Sequence, residues 1–171
     1  MTAAVTLAPV PTDRLTELEG LRQLPGQFAN NGAEMIRDTT PDLSFHAIYL
    51  GPMLVGMFKL DPLYPERHDF AKDSDLGLRG VLIDRAHQGG GLGTRAMAAL
   101  PAYAAVHYPD KRRLVLTVNL LNPAARAAYL KAGFRDAGEI FTGGSRGPQN
   151  ILWADLPPSE GQPCAARSCS P

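Results

Sequence analysis

The stretch VLIDRAHQGGGLGTRAM (residues 81–97) decides how this chain is read. An apolar run ends at Asp84, and an alanine-rich helical pattern starts near Leu92. Between them stand three consecutive glycines, Gly89, Gly90 and Gly91, with a fourth at Gly93. Glycine weakens strands and helices alike, so a cluster at a strand-to-helix junction marks a backbone that turns tightly and lets something approach. A helix start leaves N–H groups unpaired and carries the positive end of the helix dipole. The stretch therefore predicts an anion site, with phosphate the natural ligand class.

Outward from that loop, the apolar segments fall into an ordered series. AVTLAPV (4–10) predicts a first strand. PTDRLTELEGL predicts a helical segment with Thr12 as N-cap, Leu15 and Leu18 on one face and Gly20 as its stop. Residues 22–33 read as irregular, and AEMIRDT as a brief helix. SFHAIYL (44–50), the turn Gly51-Pro52 and MLVGMFKL (53–60) predict a hairpin. Residues 61–75 read as a polar, solvated loop. LGLRGVLID (76–84) is the strand before the glycines, and Pro101 is expected to kink or split the helix after them. RRLVLTVNL predicts a strong strand. NPAARAAYLKAGF predicts a helix with Asn122 as N-cap, Pro123 in its first turn and Gly133 as terminator. Strands near 134–141 and 149–156 close an α/β domain over residues 1–156: a mixed sheet of about seven strands with helices packed on it. Residues 157–171 are expected to form a disordered tail.

Composition narrows the function classes. The chain has 171 residues, 44% hydrophobic and 20% charged, with a formal net charge of zero. That balance suits a globular protein and points away from nucleic acid and from acidic membranes as partners. No apolar stretch reaches spanning length, and no secretory signal is read at the start. The cysteines, Cys164 and Cys169, both lie in the last eight residues. A cysteine-free body fits a reducing, cytoplasmic setting. The four histidines, His46, His68, His87 and His107, are scattered without metal-ligand spacing, so no metal is expected.

Two kinds of phosphate ligand compete for the glycine loop. Gly91, Gly93 and Ala96 match G-x-G-x-x-A, but the next strand brings Thr117 and Asn119 where a dinucleotide site needs a carboxylate for the ribose. A P-loop needs Lys-Ser/Thr after its last glycine, and none follows. The alternative is coenzyme A. Gln88-Gly89-Gly90-Gly91-Leu92-Gly93 resembles the Q/R-x-x-G-x-G/A signature of the GCN5-related N-acetyltransferase (GNAT) family. VNLLNPAARAAYLKAGF (118–134) is similar to that family's later motif, an Asn followed seven residues on by Tyr and then by Gly-Phe. The element order agrees over roughly residues 3–156.

The resemblance implies acetyl transfer from acetyl-CoA, as cosubstrate, to a primary amine of a small molecule, polyamine-like or amino-acid-like. It implies that the backbone of Val81, Leu82 and Ile83 receives the acetyl carbonyl and the pantetheine arm. Gln88, Gly89, Gly90, Gly91, Gly93 and Thr94 would hold the pyrophosphate, and Asn122 would reach the pantetheine. His87 and Arg95 border that loop, and Arg126 reads as a surface residue, with contact to the adenosine phosphate end as the alternative. Tyr129, seven residues past Asn122 and on the same helix side, would face the departing sulfur. A tyrosine near pKa 10 facing a thiol near 8.5 gives up its proton uphill by about 2 kcal/mol in water, so a hydrogen bond to sulfur is as good a reading. A lysine-like amine costs roughly 4.6 kcal/mol to neutralise at pH 7. Its base is open among Glu34, His46, Asp75, Asp84 and water. Asp61, Glu66, Asp69, Asp73 and Asp75 could attract a cation, but Arg67, His68 and Lys72 share their loop. A protein N-terminus or lysine as acceptor, and a sensor that binds acetyl-CoA without turnover, are the alternatives. Many family members are dimers, and a homodimer is allowed here.

Overall fold

The structure is a computed structural model that describes residues 2–158; Cys164, Cys169 and all but the first two residues of the expected tail lie outside the described residues. Seven strands form one sheet in the order β1-β2-β3-β4-β5-β7-β6. They are β1 (Val5–Val10), β2 (Ser44–Leu50), β3 (Met53–Asp61), β4 (Asp75–Ile83), β5 (Arg113–Asn119), β6 (Arg135–Phe141) and β7 (Gln149–Asp155). The helices are α1 (Gly32–Met35), α2 (Tyr64–Arg67), α3 (Leu92–His107) and α4 (Pro123–Lys131), with 3-10 turns at Thr12–Leu18 and Arg85–His87. Every neighbouring pair of strands is antiparallel except β4 and β5, which are parallel and joined by the α3 crossover.

Alternation along the strands sends apolar side chains to both faces. On one face, Ile48, Phe58, Leu76, Leu78, Leu114, Leu116 and Leu152 pack under α3 through Ala96, Met97, Leu100 and Ala104. On the other, Phe45, Ala47, Met57 and Leu82 are covered by Leu18 and Leu21 and by Met35 of α1. Further along that second face, Tyr64 of α2 seats on Val115 and Ile151.

Three local expectations change. Thr12 is the first helical residue rather than the cap: the extended Pro11 holds the cap position and makes no side-chain cap bond. Pro101 lies inside one unbroken helix. An interior proline costs about 3 kcal/mol, and the burial of Leu92, Ala96, Met97, Leu100, Ala104 and Ala105 along α3 offsets it. The loop at 61–75 is not simply solvated. Asp61 ends β3, Asp75 begins β4, and both are fully buried. Tyr64 is buried too, because α2 folds it over Gly77, where any side chain would collide with its ring.

Candidate functional site

The parallel junction makes the site. β4 and β5 pair only through Asp75–Arg113, Leu76–Leu114 and Gly77–Val115. Beyond that the strands part. A bulge drives the separation: between Lys59–Arg79 and Met57–Leu82, residues Gly80 and Val81 face the single residue Phe58. Gly80 sits at φ +57, and a Cβ there would meet Lys59 Cε at 2.7 Å. The open V leaves one edge of β4 without a strand partner. Asp84 N–H bonds to Val55 on β3 at 2.8 Å. Alternation then turns the N–H groups of Ile83 and Val81 toward the gap.

Two cavities meet at this gap. One, of about 450 Å³, is walled by the glycine loop, by the first turn of α3 and by Ala124, Ala125 and Ala128 of α4. The other, of about 520 Å³, lies between the splayed strands, α2 and the 143–149 segment. Phe28, Ala29, Val81, Asn122, Ala125 and Tyr129 border both.

The first cavity is built to take an anion. Gly91 caps α3 in the left-handed region, at φ +74, with no side-chain cap bond and no acidic residue in the first turn. The first N–H groups of a 16-residue helix therefore face a cavity uncapped by any side chain. Cβ atoms built on Gly89 and Gly91 meet nothing within 4 Å, so the space above the loop is open. Gln88 clamps the loop: its Nε2 donates to Ile83 O at 2.8 Å and to Gln23 Oε1 at 2.7 Å. His87, Gly93 and Thr94 line the same cavity.

Not every expected position borders it. Leu82 borders neither cavity: it pairs with Met57 on β3 and its side chain is buried in the core. Gly90 lies exposed between its neighbours and lines neither cavity. Arg95 donates to Ala3 O at 2.6 Å, and Arg126 pairs with Asp136 at 2.6 Å.

Tyr129 stands where the cavities join, and its helix end fixes it. Gly133, at φ +103, closes α4: Phe134 N–H donates to Tyr129 O at 3.0 Å and Gly133 N–H to Leu130 O at 3.1 Å. The Phe134 ring meets the Tyr129 ring at 68°, with centroids 5.5 Å apart. Burial pushes the Tyr129 phenol above its ordinary range, so it holds its proton. At the other end of α4, Asn122 Oδ1 accepts from Ala125 N–H at 3.3 Å, the expected cap.

The proposed bases fall away from the site. His46 is buried on the α3 face, bonded to Ser44 Oγ and Tyr103 Oη at 2.7 Å each. Burial, aided by His107, lowers its pKa to about 4. Asp75 is locked to Arg113 at 2.7 Å. Asp84 accepts from Ala86 N–H and Arg22 N–H, closing the strand end. Glu34 is exposed on α1. None of the four borders either cavity.

Several residues of the second cavity carried no signal in the sequence. Phe28 comes from the irregular 22–33 segment, and Arg79 reads as an ordinary outward strand position. Tyr64 and His68 stood in the apparently solvated loop, where Leu63, Tyr64 and Phe70 were the available hint of burial. Burial raises the Tyr64 pKa to about 12, against a lowering hydrogen bond with Thr117. Burial, then Arg79, lowers that of His68. Asn119 Nδ2 donates to Arg146 O at 2.7 Å, and Arg146 reaches across to Phe28 O at 3.0 Å. That chain of bonds closes the second cavity.

Comparison with known proteins places this architecture. The model of the acetyltransferase (GNAT) family matches residues 13–134. An uncharacterized N-acetyltransferase, YbbJ of Bacillus subtilis (strain 168), is 36% identical over 77 residues, which are 45% of this chain and 48% of that protein. The match thus spans about half the length of this curated relative. Among solved structures, aminoglycoside acetyltransferase AAC(6')-Ib in complex with coenzyme A and kanamycin superposes with a TM-score of 0.69 at 19% identity, covering 89% of this chain and 95% of that one. A spermidine N-acetyltransferase SpeG chimera from Vibrio cholerae and hSSAT gives 0.64 at 17% identity, covering 89% and 95%. An acetyltransferase from Thermus thermophilus gives 0.58 at 24% identity, covering 91% and 100%. At these identities the likeness is one of fold. Among the described residues, no group of three or more His, Cys, Asp or Glu could hold a metal, and no helix is long and apolar enough to cross a membrane.

Proposed function

The chain belongs to the acetyltransferase (GNAT) family, and from that premise we propose that it transfers the acetyl group of acetyl-CoA to the primary amine of a small molecule. The observation that carries this reading is the meeting of two cavities at Tyr129, one on an uncapped helix start and one lined by polar and aromatic side chains. The first cavity fits the cosubstrate. Open space stands above Gly89 and Gly91, and an anion there meets unpaired N–H groups and the dipole of α3.

Bound acetyl-CoA supplies a thioester, whose C–S bond breaks as the amine nitrogen bonds to the acetyl carbon, leaving an amide and a thiol. The chain's part is to position and to manage charge. N–H groups of Gly89, Gly91, Gly93 and Thr94 hold the pyrophosphate. The gap edge of β4 at Val81 and Ile83 offers N–H groups to the acetyl oxygen as charge develops there. Asn122 and Ala125 wall the passage between the cavities. Overall one proton leaves nitrogen and one arrives at sulfur. Tyr129, protonated throughout the working pH range, is the donor placed at the junction. Its place at both cavities also favours turnover over sensing, since a sensor needs no donor between two chambers.

The test is thiol release from acetyl-CoA across a panel of primary amines, with Tyr129→Phe alongside. The expected result is amine-dependent release that falls about tenfold or more in the variant, with acetyl-CoA affinity retained. Binding of acetyl-CoA with no release for any amine would move the assignment to a sensor.

A further inference from the structure

Among the described residues, no carboxylate lines the second cavity. Its charged lining side chains are Arg79 and Arg146, and burial, then Arg79, lowers the pKa of its histidine, His68. Of the acidic residues of the 61–75 loop, which could have drawn in a cation, Asp61 and Asp75 are spent in ion pairs, and Glu66, Asp69 and Asp73 are exposed and line neither cavity. Asp61 is buried and gripped through both oxygens by Arg67, at 2.7 and 2.8 Å. Asp75 is taken by Arg113. Behind the cavity, Asp38 is held by Lys59 at 2.7 Å. Arg79 reaches these acids only at longer range, 3.4 Å to Asp61 and 3.7 Å to Asp38. Three cations, Lys59, Arg67 and Arg79, thus share two carboxylates, and the loosely held one borders the cavity. Arg146 makes no ion pair among the described residues; one of its nitrogens donates to Phe28 O.

We infer that the acetyl acceptor is an amino carboxylate: a compact amine whose anionic group is held by Arg79 and Arg146 while its nitrogen points to Tyr129. This rests on the acetyltransferase reading and narrows its substrate class. A polycation, such as a polyamine, would enter a cavity already positive and find no counter-charge. A carboxylate meets a planar guanidinium fork suited to two parallel hydrogen bonds. Phe28, Tyr64 and Phe141 give the rest of such a molecule an apolar wall. The same guanidiniums address the missing base. A positive neighbour disfavours the ammonium form, so an amine placed beside them sheds its proton more readily.

The experiment compares kcat/KM for phenylalanine, phenylalaninamide, phenethylamine and spermidine in the full-length protein, with Arg79→Gln and Arg146→Gln. The acid and its amide share the ring and a primary α-amine and differ in the carboxylate charge, and rates are compared per concentration of neutral amine, because the carboxylate raises the amine's pKa. The expected result is a preference for the acid of roughly tenfold or more. It should collapse in Arg146→Gln, whose side chain is exposed and whose folding is checked by an unchanged melting midpoint, and in Arg79→Gln. Faster release with spermidine, equal rates for acid and amide, or a preference that survives both substitutions would overturn the inference and leave the acetyltransferase standing. No release from any amine would remove the acetyltransferase reading and this one with it.

Discussion

At the residue scale, the loop depends on one backbone conformation. Gly91 occupies the left-handed region at φ +74 and ψ 10, and nothing lies within 4 Å of where its Cβ would be. Gly91→Ala therefore meets no clash inside the protein. Its cost is the strain of a side chain at positive φ, about 1 kcal/mol, plus a methyl group placed in the anion cavity. The expected outcome is an unfolding free energy in urea lowered by about that amount and an acetyl-CoA dissociation constant raised about tenfold, read by calorimetry. A stability loss with unchanged affinity would remove the loop from the binding site. Tyr129 shows the complementary case. Its type and spacing are plain in the sequence, but its position between two chambers comes from the Gly133 turn and the Phe134 ring that hold it.

At the element scale, the decisive object is the V between β4 and β5. Three residue pairs join the strands, and the ion pair of Asp75 with Arg113 closes the joined end. Asp75 also accepts from Lys72 N–H at 2.8 Å. It is fully buried, so Asp75→Asn leaves Arg113 without its counter-charge. Breaking one side of such a pair costs about 3 kcal/mol or more. We expect a clear fall in the denaturation midpoint. Activity at low temperature should fall as well, because the pair holds the strands that set the gap. A fall in stability with activity intact would mean that the bulge at Gly80 and Val81 sets the gap alone.

At the scale of the whole molecule, acid sensitivity comes from the α3 face. His46 is 2% exposed and stacked on Phe58, with ring centroids 4.9 Å apart. Its folded pKa, about 4, lies below the ordinary 6.5, chiefly through burial. Between those values the unfolded chain binds a proton that the folded one does not. Stability is therefore full above pH 6.5 and declines as pH falls toward 4, by about 3 kcal/mol for this group. His68 shifts in the same direction. The carboxylates held low by Arg14 on Glu17 and by Arg126 on Asp136 add their loss only further down. Urea midpoints at pH 7 and pH 5 should differ less in His46→Gln than in the parent chain. An equal difference would assign the effect to other groups.

Much of this protein is local and was legible as such. The hairpin around Gly51, the glycine loop between Ile83 and Leu92, the Asn122 cap and the Gly133 stop are each set by a few adjacent residues, whose conformational preferences act without the rest of the chain. The pattern of apolar runs likewise carries the strands of the sheet. What only the tertiary structure decided is non-local. Pro101 remains in a helix because packing outweighs its preference. Of the 61–75 acids, Asp61 and Asp75 are buried in ion pairs with Arg67 and Arg113, and Arg113 arrives from another strand. The second cavity opens where β4 and β5 part, and it is closed by Arg146, which reaches Phe28 from 118 residues away. Contacts across such distances leave no period in the sequence, so the chain declares its anion loop in advance and reveals the charge of its acceptor chamber only when folded.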